Sequence, residues 1–196
     1  MKTKIIAILV FASLMTKLNA QNHDKVGLRE KPVPVSSVRN ITGFFGHRME
    51  VNRNAYLKHF PIDKYVDFVV NRQHSAWDWT QAEQHGKWIE SAYLSAVQGD
   101  DKELLIKAES VLNRIIDSQE ANGYVGATAK SFRSPERPVR GMDAYELYFV
   151  FHAFITVYEE TGDKKALTAA EKLAQMGHAV EVFEGRGLPG GVTMYG

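Results

Sequence analysis

The 196-residue sequence contains no cysteine. This absence excludes a disulfide, a lipid-anchored N-terminal cysteine, a thiolate nucleophile and a thiolate metal site within these residues. The sequence also has no phosphate-cradling glycine loop, no HExxH motif and no serine nucleophile elbow. The sequence therefore contains none of the motifs that are typical of P-loop nucleotide hydrolases, zinc proteases and serine hydrolases.

The sequence also lacks an excess of charge of one sign. The formal net charge is +1, with 24 basic and 23 acidic residues. Three of the lysines lie in the first twenty residues, and without that segment 21 basic residues face 23 acidic ones. A nucleic-acid-binding domain needs a basic surface, so we exclude nucleic acid as a partner.

The first twenty residues have the pattern of a secretory signal peptide. Lys2 and Lys4 precede an apolar run over residues 5–15, and the segment ends in the small residue Ala20. The run is shorter than the roughly 20 residues that a membrane-spanning helix requires. We predict cleavage after Ala20, a secreted or periplasmic product, and no membrane association after cleavage.

The rest of the chain divides into an entry segment and a helical region. Residues 21–41 are polar and contain two prolines, which predicts an extended entry segment. Residues 42–196 are predicted to be all-α, with a helix over residues 62–72 and a clear helical pattern from about residue 79. One face of that later helix carries Trp79, Ala82, Gly86, Ile89, Tyr93 and Ala96.

A weak internal repeat suggests how these helices are arranged. The segment GDDKELLIKAESVL, from residue 99, aligns with GDKKALTAAEKLA, from residue 162. In each case a Gly-Asp turn joins an apolar helix to an amphipathic one. This predicts helical hairpins whose apolar helices lie inside and whose amphipathic helices lie outside. A ring of six such hairpins needs more than about 300 residues, so the chain is either a small bundle or the front part of a longer barrel, with about three hairpins.

Two segments contain candidate site residues. In WDWTQAEQHGKWIES, Trp77, Trp79 and Trp88 offer aromatic surface for a sugar, and Asp78, His85 and Lys87 offer polar groups. The simpler interpretations are that Asp78 caps a helix, that Trp88 is core and that Lys87 forms a surface ion pair with Glu83.

The second segment, YELYFVFHAFITVYEE, is apolar on nearly every face yet contains Glu146 and His152. The spacing places Tyr145, Tyr148 and His152 on one face. A buried carboxylate is costly unless it is paired, so a structural role and a site role for Glu146 are equally favoured. For His152 we favour a core histidine with a single partner.

A loop of about twenty residues, GYVGATAKSFRSPERPVRGM, separates the two segments. Loops of this length are often functional. Its basic residues either bind a carboxylated or phosphorylated substrate or, as is more common, belong to a solvated loop. They are Lys130, Arg133, Arg137 and Arg140.

Four segments, in order, resemble the beta-L-arabinofuranosidase family, glycoside hydrolase family 127 and its relatives, formerly the domain of unknown function DUF1680. GFFGHRMEVNRNAYL resembles the family's entry segment, and HGKWIESA resembles its Lys-Trp-Leu-Glu-Ala helix. DSQEANGYVGA resembles its Gln-x-x-Asp-Gly-Tyr-Leu turn. YELYFVFHAFITVYEETGDKKAL resembles its His-Glu-Leu-Tyr-x-x-Gly-His helix and the turn that follows. The resemblance runs from about residue 42 to residue 175.

The resemblance implies an (α/α)6 barrel whose pocket lies where the inner helices begin. It implies a carbohydrate substrate and hydrolysis of terminal sugars from plant or algal polysaccharide. The implied substrate-binding candidates are Asp78, Trp79, His85, Lys87, Tyr145, Glu146 and His152.

The chain departs from the family at two points. Tyr145 stands where the family has a histidine that contacts the sugar, which leaves room for a different sugar. The family's cysteine nucleophile and Cys/Glu zinc site belong to its later half, so we assign no catalytic residue, no metal and no cofactor to this chain and place any zinc beyond it. The alternatives are a secreted, non-catalytic helical sugar-binding or scaffold module, and an (α/α)6 uronyl hydrolase or lyase. The sequence leaves the oligomeric state open.

Overall fold

The computed structural model describes residues 33–74, 83–134, 139 and 143–178. All of these except Val33 belong to one compact unit that begins at Pro34. Within these ranges the structure is helical and contains no β-strand beyond an isolated bridge between His74 and Thr128. The α-helices are α1 (Gly43–Val51), α2 (Ile62–Asn71), α3 (Glu83–Gly99), α4 (Lys102–Asp117), α5 (Asp143–Thr161) and α6 (Lys164–His178). The residues that the structure describes include no helix long and apolar enough to cross a membrane.

Helix α1 continues directly into a π-helical segment, Asn52–Leu57, and short 3-10 turns cover Val35–Ser37 and Lys130–Phe132. The predicted helix over residues 62–72 is confirmed as α2. The predicted helical pattern from residue 79 is confirmed from Glu83 onward, since residues 79–82 lie outside the described ranges.

The two predicted Gly-Asp turns are confirmed at residues 99–101 and 162–163. In the first turn the left-handed residue is Asp100, with a φ of 53°, and in the second it is Gly162, with a φ of 74°. Short polar residues and glycine are the residue types that tolerate this conformation. Asp101 then caps α4, because its Oδ1 accepts a hydrogen bond from the Leu104 backbone N–H at 3.0 Å.

The hairpins bury their apolar stripes as predicted. The outer helices α4 and α6 each bury one stripe, and Ala108 and Ala170, the equivalent positions of the repeat, are both buried. The inner helices α3 and α5 pack more extensively against each other than any other pair of elements. The stripe of α4 is Leu104, Ala108, Val111, Leu112 and Ile115, and that of α6 is Ala166, Ala169, Ala170, Leu173 and Met176.

Helices α3 and α5 approach each other closely at Gly86. A Cβ atom added to this glycine would lie 2.5 Å from the backbone carbonyl carbon of Phe149. Further along, Glu90 of α3 contacts Thr156 of α5. Because residue numbers rise together along both helices, α3 and α5 run parallel, and their N-terminal ends lie at the same end of the unit.

Candidate functional site

A group of polar and aromatic side chains lines the boundary between α3 and α5. We call this group the seam cluster. Its members are Glu83, Lys87 and Glu90 from α3, and Tyr145, Tyr148, Phe149, His152 and Thr156 from α5. The N-terminal part of the cluster, around Lys87 and Tyr145, lies where both parallel helices begin.

Lys87 lies at the centre of this N-terminal part. Its ammonium group is 3.6 Å from Glu83 Oε1 and donates a hydrogen bond to the Tyr145 hydroxyl at 3.4 Å. The same nitrogen lies 4.3 Å from the centroid of the Phe149 ring, which is a cation–π distance. The predicted Glu83–Lys87 pair therefore exists, but it is not a simple surface pair, because the Glu83 side chain is 7% exposed and that of Lys87 is 36% exposed.

The second part of the cluster surrounds Glu90. Its Oε1 atom accepts a hydrogen bond from the Thr156 hydroxyl at 3.2 Å and lies 4.0 Å from His152 Nδ1. The His152 ring also lies against Tyr148, with 4.7 Å between ring centroids. The favoured interpretation of His152 as a core histidine is wrong, because its side chain is 49% exposed. Because the sequence of α5 is apolar on nearly every face, it does not show which face is left uncovered by neighbouring elements.

The other candidate residues are placed differently. His85 and Glu146 are buried, with 0% and 4% exposure. Asp78 and Trp79 lie outside the described residues. Trp88 is core, as its simplest interpretation required: it is 3% exposed and its indole N–H donates to the Leu57 carbonyl at 3.1 Å. Of the seven candidates, the structure thus brings Lys87, Tyr145 and His152 into one partly exposed cluster. A substrate-binding role stays a prediction for all seven.

Sequence reasoning did not select Phe149 or Thr156. Phe149 follows Tyr145 by four residues, a spacing that puts two side chains on one helix face. That signal was available, but it was lost among the many aromatic residues of this helix. Thr156 has no signal of its own, because its role depends on Glu90 of another helix.

The loop that follows α4 is fixed by a buried polar network. Arg133 donates to both carboxylate oxygens of Glu120, at 2.6 and 3.2 Å, and to the Thr128 carbonyl at 3.1 Å. Its guanidinium group stacks 3.6 Å from the centroid of the Tyr124 ring. Arg72, the residue that follows α2, approaches Glu120, with 3.6 Å between Arg72 Nε and Glu120 Oε1.

The solvated-loop interpretation is therefore wrong for Arg133, whose side chain is 4% exposed. Lys130 is exposed, and Arg137 and Arg140 lie outside the described residues. The sequence alone predicts a surface position for Arg133, because its contacts with Glu120 and Tyr124 form only when the loop folds.

Two ionisation states follow from this network. Burial alone would raise the pKa of Glu120, but the hydrogen bonds and charge of Arg133, with Arg72, hold that pKa below its usual value. Burial, with the nearby Asp143 carboxylate next, raises the pKa of the Tyr124 phenol far above its usual value. At neutral pH Glu120 is therefore charged and Tyr124 keeps its proton to donate.

We expect Glu120 to make the fold acid-sensitive. A carboxyl group whose pKa is depressed on folding contributes stability above its unfolded value of about 4.5, and this contribution is lost as the pH falls through the folded value. The Glu120→Gln variant should therefore melt at a lower temperature than the wild type at pH 7, and the difference should shrink below about pH 4. Thermal melts between pH 3 and 7 measure this. Glu159→Gln, at an exposed position of α5, is the control, and an equal pH dependence in both variants would refute the role of Glu120.

The described residues offer no preformed metal centre. No group of three or more His, Asp or Glu side chains in these ranges is arranged to hold a metal ion, and the chain has no cysteine.

A separate depression of about 800 Å³ lies between α1 and the turn after α3. It is lined by polar groups that include His47, Glu50, Arg53 and Asp100. It is wide open and lies away from the seam cluster, so it does not contribute to the site described above.

The comparison with protein families decides what kind of protein this is. Residues 13–186 match the model of the beta-L-arabinofuranosidase GH127 catalytic domain. The chain belongs to this family. The predicted resemblance is thereby confirmed, and the GH127 chain is by family a glycoside hydrolase-like protein.

A solved structure gives the same result. The structure described as the GH127 beta-arabinofuranosidase BT3674 superposes with a TM-score of 0.55 and 25% sequence identity. The alignment covers 73% of this chain and 26% of that one, so the GH127 chain spans about a quarter of the length of the structure it matches. Together with the helical hairpins, this confirms the predicted all-α fold of the partial (α/α)6 barrel type. No curated protein matches the chain.

Proposed function

We propose that residues 42–196 are the N-terminal portion of the catalytic domain of a secreted glycoside hydrolase. Its substrates would be sugars at the ends of plant or algal polysaccharides or their oligosaccharides, as in a beta-L-arabinofuranosidase. The observation that supports this most is the match of residues 13–186 to a GH127 catalytic domain. Residues 1–20 would be a signal peptide that is removed after Ala20, and residues 21–41 an entry segment.

The seam cluster supports a sugar-binding role for the start of α3 and α5. Sugars present hydroxyl groups at their edges and apolar C–H surfaces on their faces, and sites that bind them combine a few polar groups with aromatic surface. Lys87 and Tyr145 supply a cation and a hydroxyl 3.4 Å apart, and the Phe149 ring lies beneath the cation. In this proposal the pair donates hydrogen bonds to the sugar, and the aromatic rings offer a surface for stacking.

The chemical step is placed outside these residues. Glycoside hydrolysis ordinarily needs an acid and a nucleophile or base on either side of the bond, and we assign neither role within residues 33–178. We propose that the missing groups, and any zinc ion with its ligands, come from chain that follows residue 196. Residues 21–196 alone would then bind or position a sugar without turning it over.

The alternative is a non-catalytic helical module that binds sugar. The two proposals predict different behaviour of the apolar surface that residues 21–196 expose. Phe44 and Phe45 of α1 are 73% and 72% exposed. A module complete at this length should be monomeric and unfold cooperatively, whereas an open part of a barrel should aggregate through such surfaces. Sedimentation and thermal unfolding of residues 21–196 separate the two.

The second alternative is a uronyl hydrolase or lyase. The partly exposed ammonium group of Lys87 favours it, because a cation can pair with the carboxylate of a uronate. A screen that includes uronate-containing oligosaccharides beside neutral ones separates this activity from arabinofuranoside hydrolysis.

We expect substitution at the seam cluster to weaken hydrolysis by the protein made from its complete coding sequence. A lost hydrogen bond to the substrate is worth about 0.5–1.5 kcal/mol, or about 1.5–3 kcal/mol where the donor is charged. Tyr145→Phe should therefore lower kcat/KM up to about tenfold, and Lys87→Met about 10- to 100-fold. The assay is release of 4-nitrophenol from aryl glycosides, beginning with the beta-L-arabinofuranoside. Lys165→Met, at an exposed position of α6, should leave kcat/KM unchanged. Unchanged values in all three variants would remove the seam cluster from the site.

A further inference from the structure

Asp143 is a buried carboxylate that lies outside the seam cluster. It is the first residue of α5 and is 2% exposed. Its Oδ2 accepts a hydrogen bond from the Tyr124 hydroxyl at 2.9 Å, and its Oδ1 accepts one from the Thr128 hydroxyl at 2.8 Å. Both partners belong to the loop after α4, and both are themselves buried. A helix start linked to a loop by two charge-assisted hydrogen bonds is held firmly.

The loop is shaped around this carboxylate. The Tyr124 hydroxyl also accepts a hydrogen bond from the Thr128 backbone N–H at 3.0 Å, which closes the loop upon itself. Gly126 lies inside the closed turn, where an added Cβ atom would be 2.5 Å from the Tyr124 hydroxyl and 3.1 Å from Asp143 Oδ1. A side chain at position 126 would therefore force this turn apart.

The loop is in turn attached to two other parts of the structure, and a third contact links its two ends. Gln119 donates to the Ala169 carbonyl on α6 at 3.0 Å, and the Ala129 backbone N–H donates to the His74 carbonyl after α2 at 2.8 Å. Arg133 ties the far end of the loop to Glu120. These contacts hold the loop in place, and the hydrogen bonds of Asp143 connect the start of α5 to it.

Tyr145 lies two residues after Asp143, at the same end of α5. The hydrogen bond from Lys87 to Tyr145 is already long, at 3.4 Å, since N–H···O hydrogen bonds usually span about 2.7–3.2 Å. A displacement of the helix start by about 1 Å would break it, and misplacement on this scale can cost about 100-fold in rate.

We propose that Asp143 is a positioning residue, which through Tyr124 and Thr128 fixes the start of α5 and so sets the distance between Tyr145 and Lys87 in the sugar site. The expected effect on catalysis rests on the proposed glycoside hydrolase function. The expected effect on the position of α5 does not. Asp143 itself does not touch the substrate in this account.

The test compares Asp143→Ala with Asp143→Asn in the protein expressed from its complete coding sequence. The amide of asparagine keeps the size and one acceptor oxygen, so it should retain the link to Thr128, whereas alanine removes both links. Thr161→Ala is the matched control, because it removes a hydrogen bond at the opposite end of the same helix, from the Thr161 hydroxyl to the Val157 carbonyl.

Two measurements are made on each variant, well below its melting temperature. In Asp143→Ala, deuterium uptake by residues 143–150 should be several-fold faster, and kcat/KM on the aryl glycoside should fall about 10- to 100-fold. In Asp143→Asn, kcat/KM should recover to within a few-fold of the wild type, and Thr161→Ala should change neither quantity at the start of α5.

Each other outcome has a definite meaning. Unchanged deuterium uptake in Asp143→Ala overturns the inference, whatever the activity. Faster uptake, or a lower melting temperature, with unchanged kcat/KM reduces Asp143 to a structural residue and also overturns it. If the wild-type protein hydrolyses no glycoside in the screen, the proposed function fails, and the uptake data alone decide whether Asp143 holds α5.

Discussion

Replacement of Arg133 by methionine is expected to lower the free energy of unfolding by about 3 kcal/mol. The change keeps most of the side-chain volume but removes the three hydrogen bonds to Glu120 and the Thr128 carbonyl, and the stacking on Tyr124. Breaking a buried ion pair typically costs about 3–5 kcal/mol. The lower end applies because Glu120 is 25% exposed and still faces Arg72.

The matched control for this variant is Arg114→Met. Arg114 also pairs with two carboxylates, Asp63 and Asp67, but these side chains are 75% and 56% exposed. Exposed ion pairs contribute about 0–1 kcal/mol, so the control should unfold close to the wild type. Urea unfolding followed by circular dichroism measures both variants. Equal losses in the two would mean that the loop network does not stabilise the fold more than a surface pair does.

Replacement of Gly86 by alanine should also destabilise the protein, although alanine is the better helix former. The added methyl group would lie 2.5–2.7 Å from backbone atoms of Phe149 and Val150, which cannot rotate away as a side chain can. The helices must separate, and we expect a net loss of about 2 kcal/mol or more after the gain of about 1 kcal/mol in helix propensity. Because Lys87 follows Gly86 directly, a separation of the helices should also move Lys87 away from Tyr145. If the proposed function is right, sugar hydrolysis should then fall as well.

Gly99, in the same helix, provides the control for Gly86. The three atoms nearest to a Cβ atom there would all belong to the guanidinium end of Arg53, a flexible side chain that can move aside. Gly99→Ala should therefore stay within about 1 kcal/mol of the wild type. Thermal unfolding of both variants measures the difference. Equal stability of the two would show that α3 and α5 are not in close contact at Gly86.

The fold was largely predictable because its signals are local. The Gly-Asp turns at residues 99 and 162 and the apolar stripes of α4 and α6 are visible in short windows of sequence. The position of Gly86 on one face of α3 with Ile89, Tyr93 and Ala96 was predicted as well. The spacing of apolar residues could not explain why a glycine is needed at position 86. The backbone that Gly86 contacts, at Phe149, is more than sixty residues away in the sequence.

The site was predictable only in part, for the same physical reason. Lys87 and Tyr145 were selected separately, and no local pattern shows that their side chains meet. His152 was interpreted as core because it is surrounded in sequence by aromatic residues, although its own face is half exposed. Asp143 gave no signal beyond a charge at a helix start, because its partners Tyr124 and Thr128 contact it only once the preceding loop has folded back.

Sequencing of the coding DNA beyond codon 196 tests most directly the claim that this GH127 chain is the front of a catalytic barrel. We predict that the reading frame continues for several hundred codons and encodes a Glu-x-Cys motif and a later Cys-Cys pair, the groups that a zinc-dependent, cysteine-nucleophile glycosidase needs. A stop codon directly after Gly196 would contradict this claim. The seam cluster would then belong to a protein that binds sugars without cleaving them.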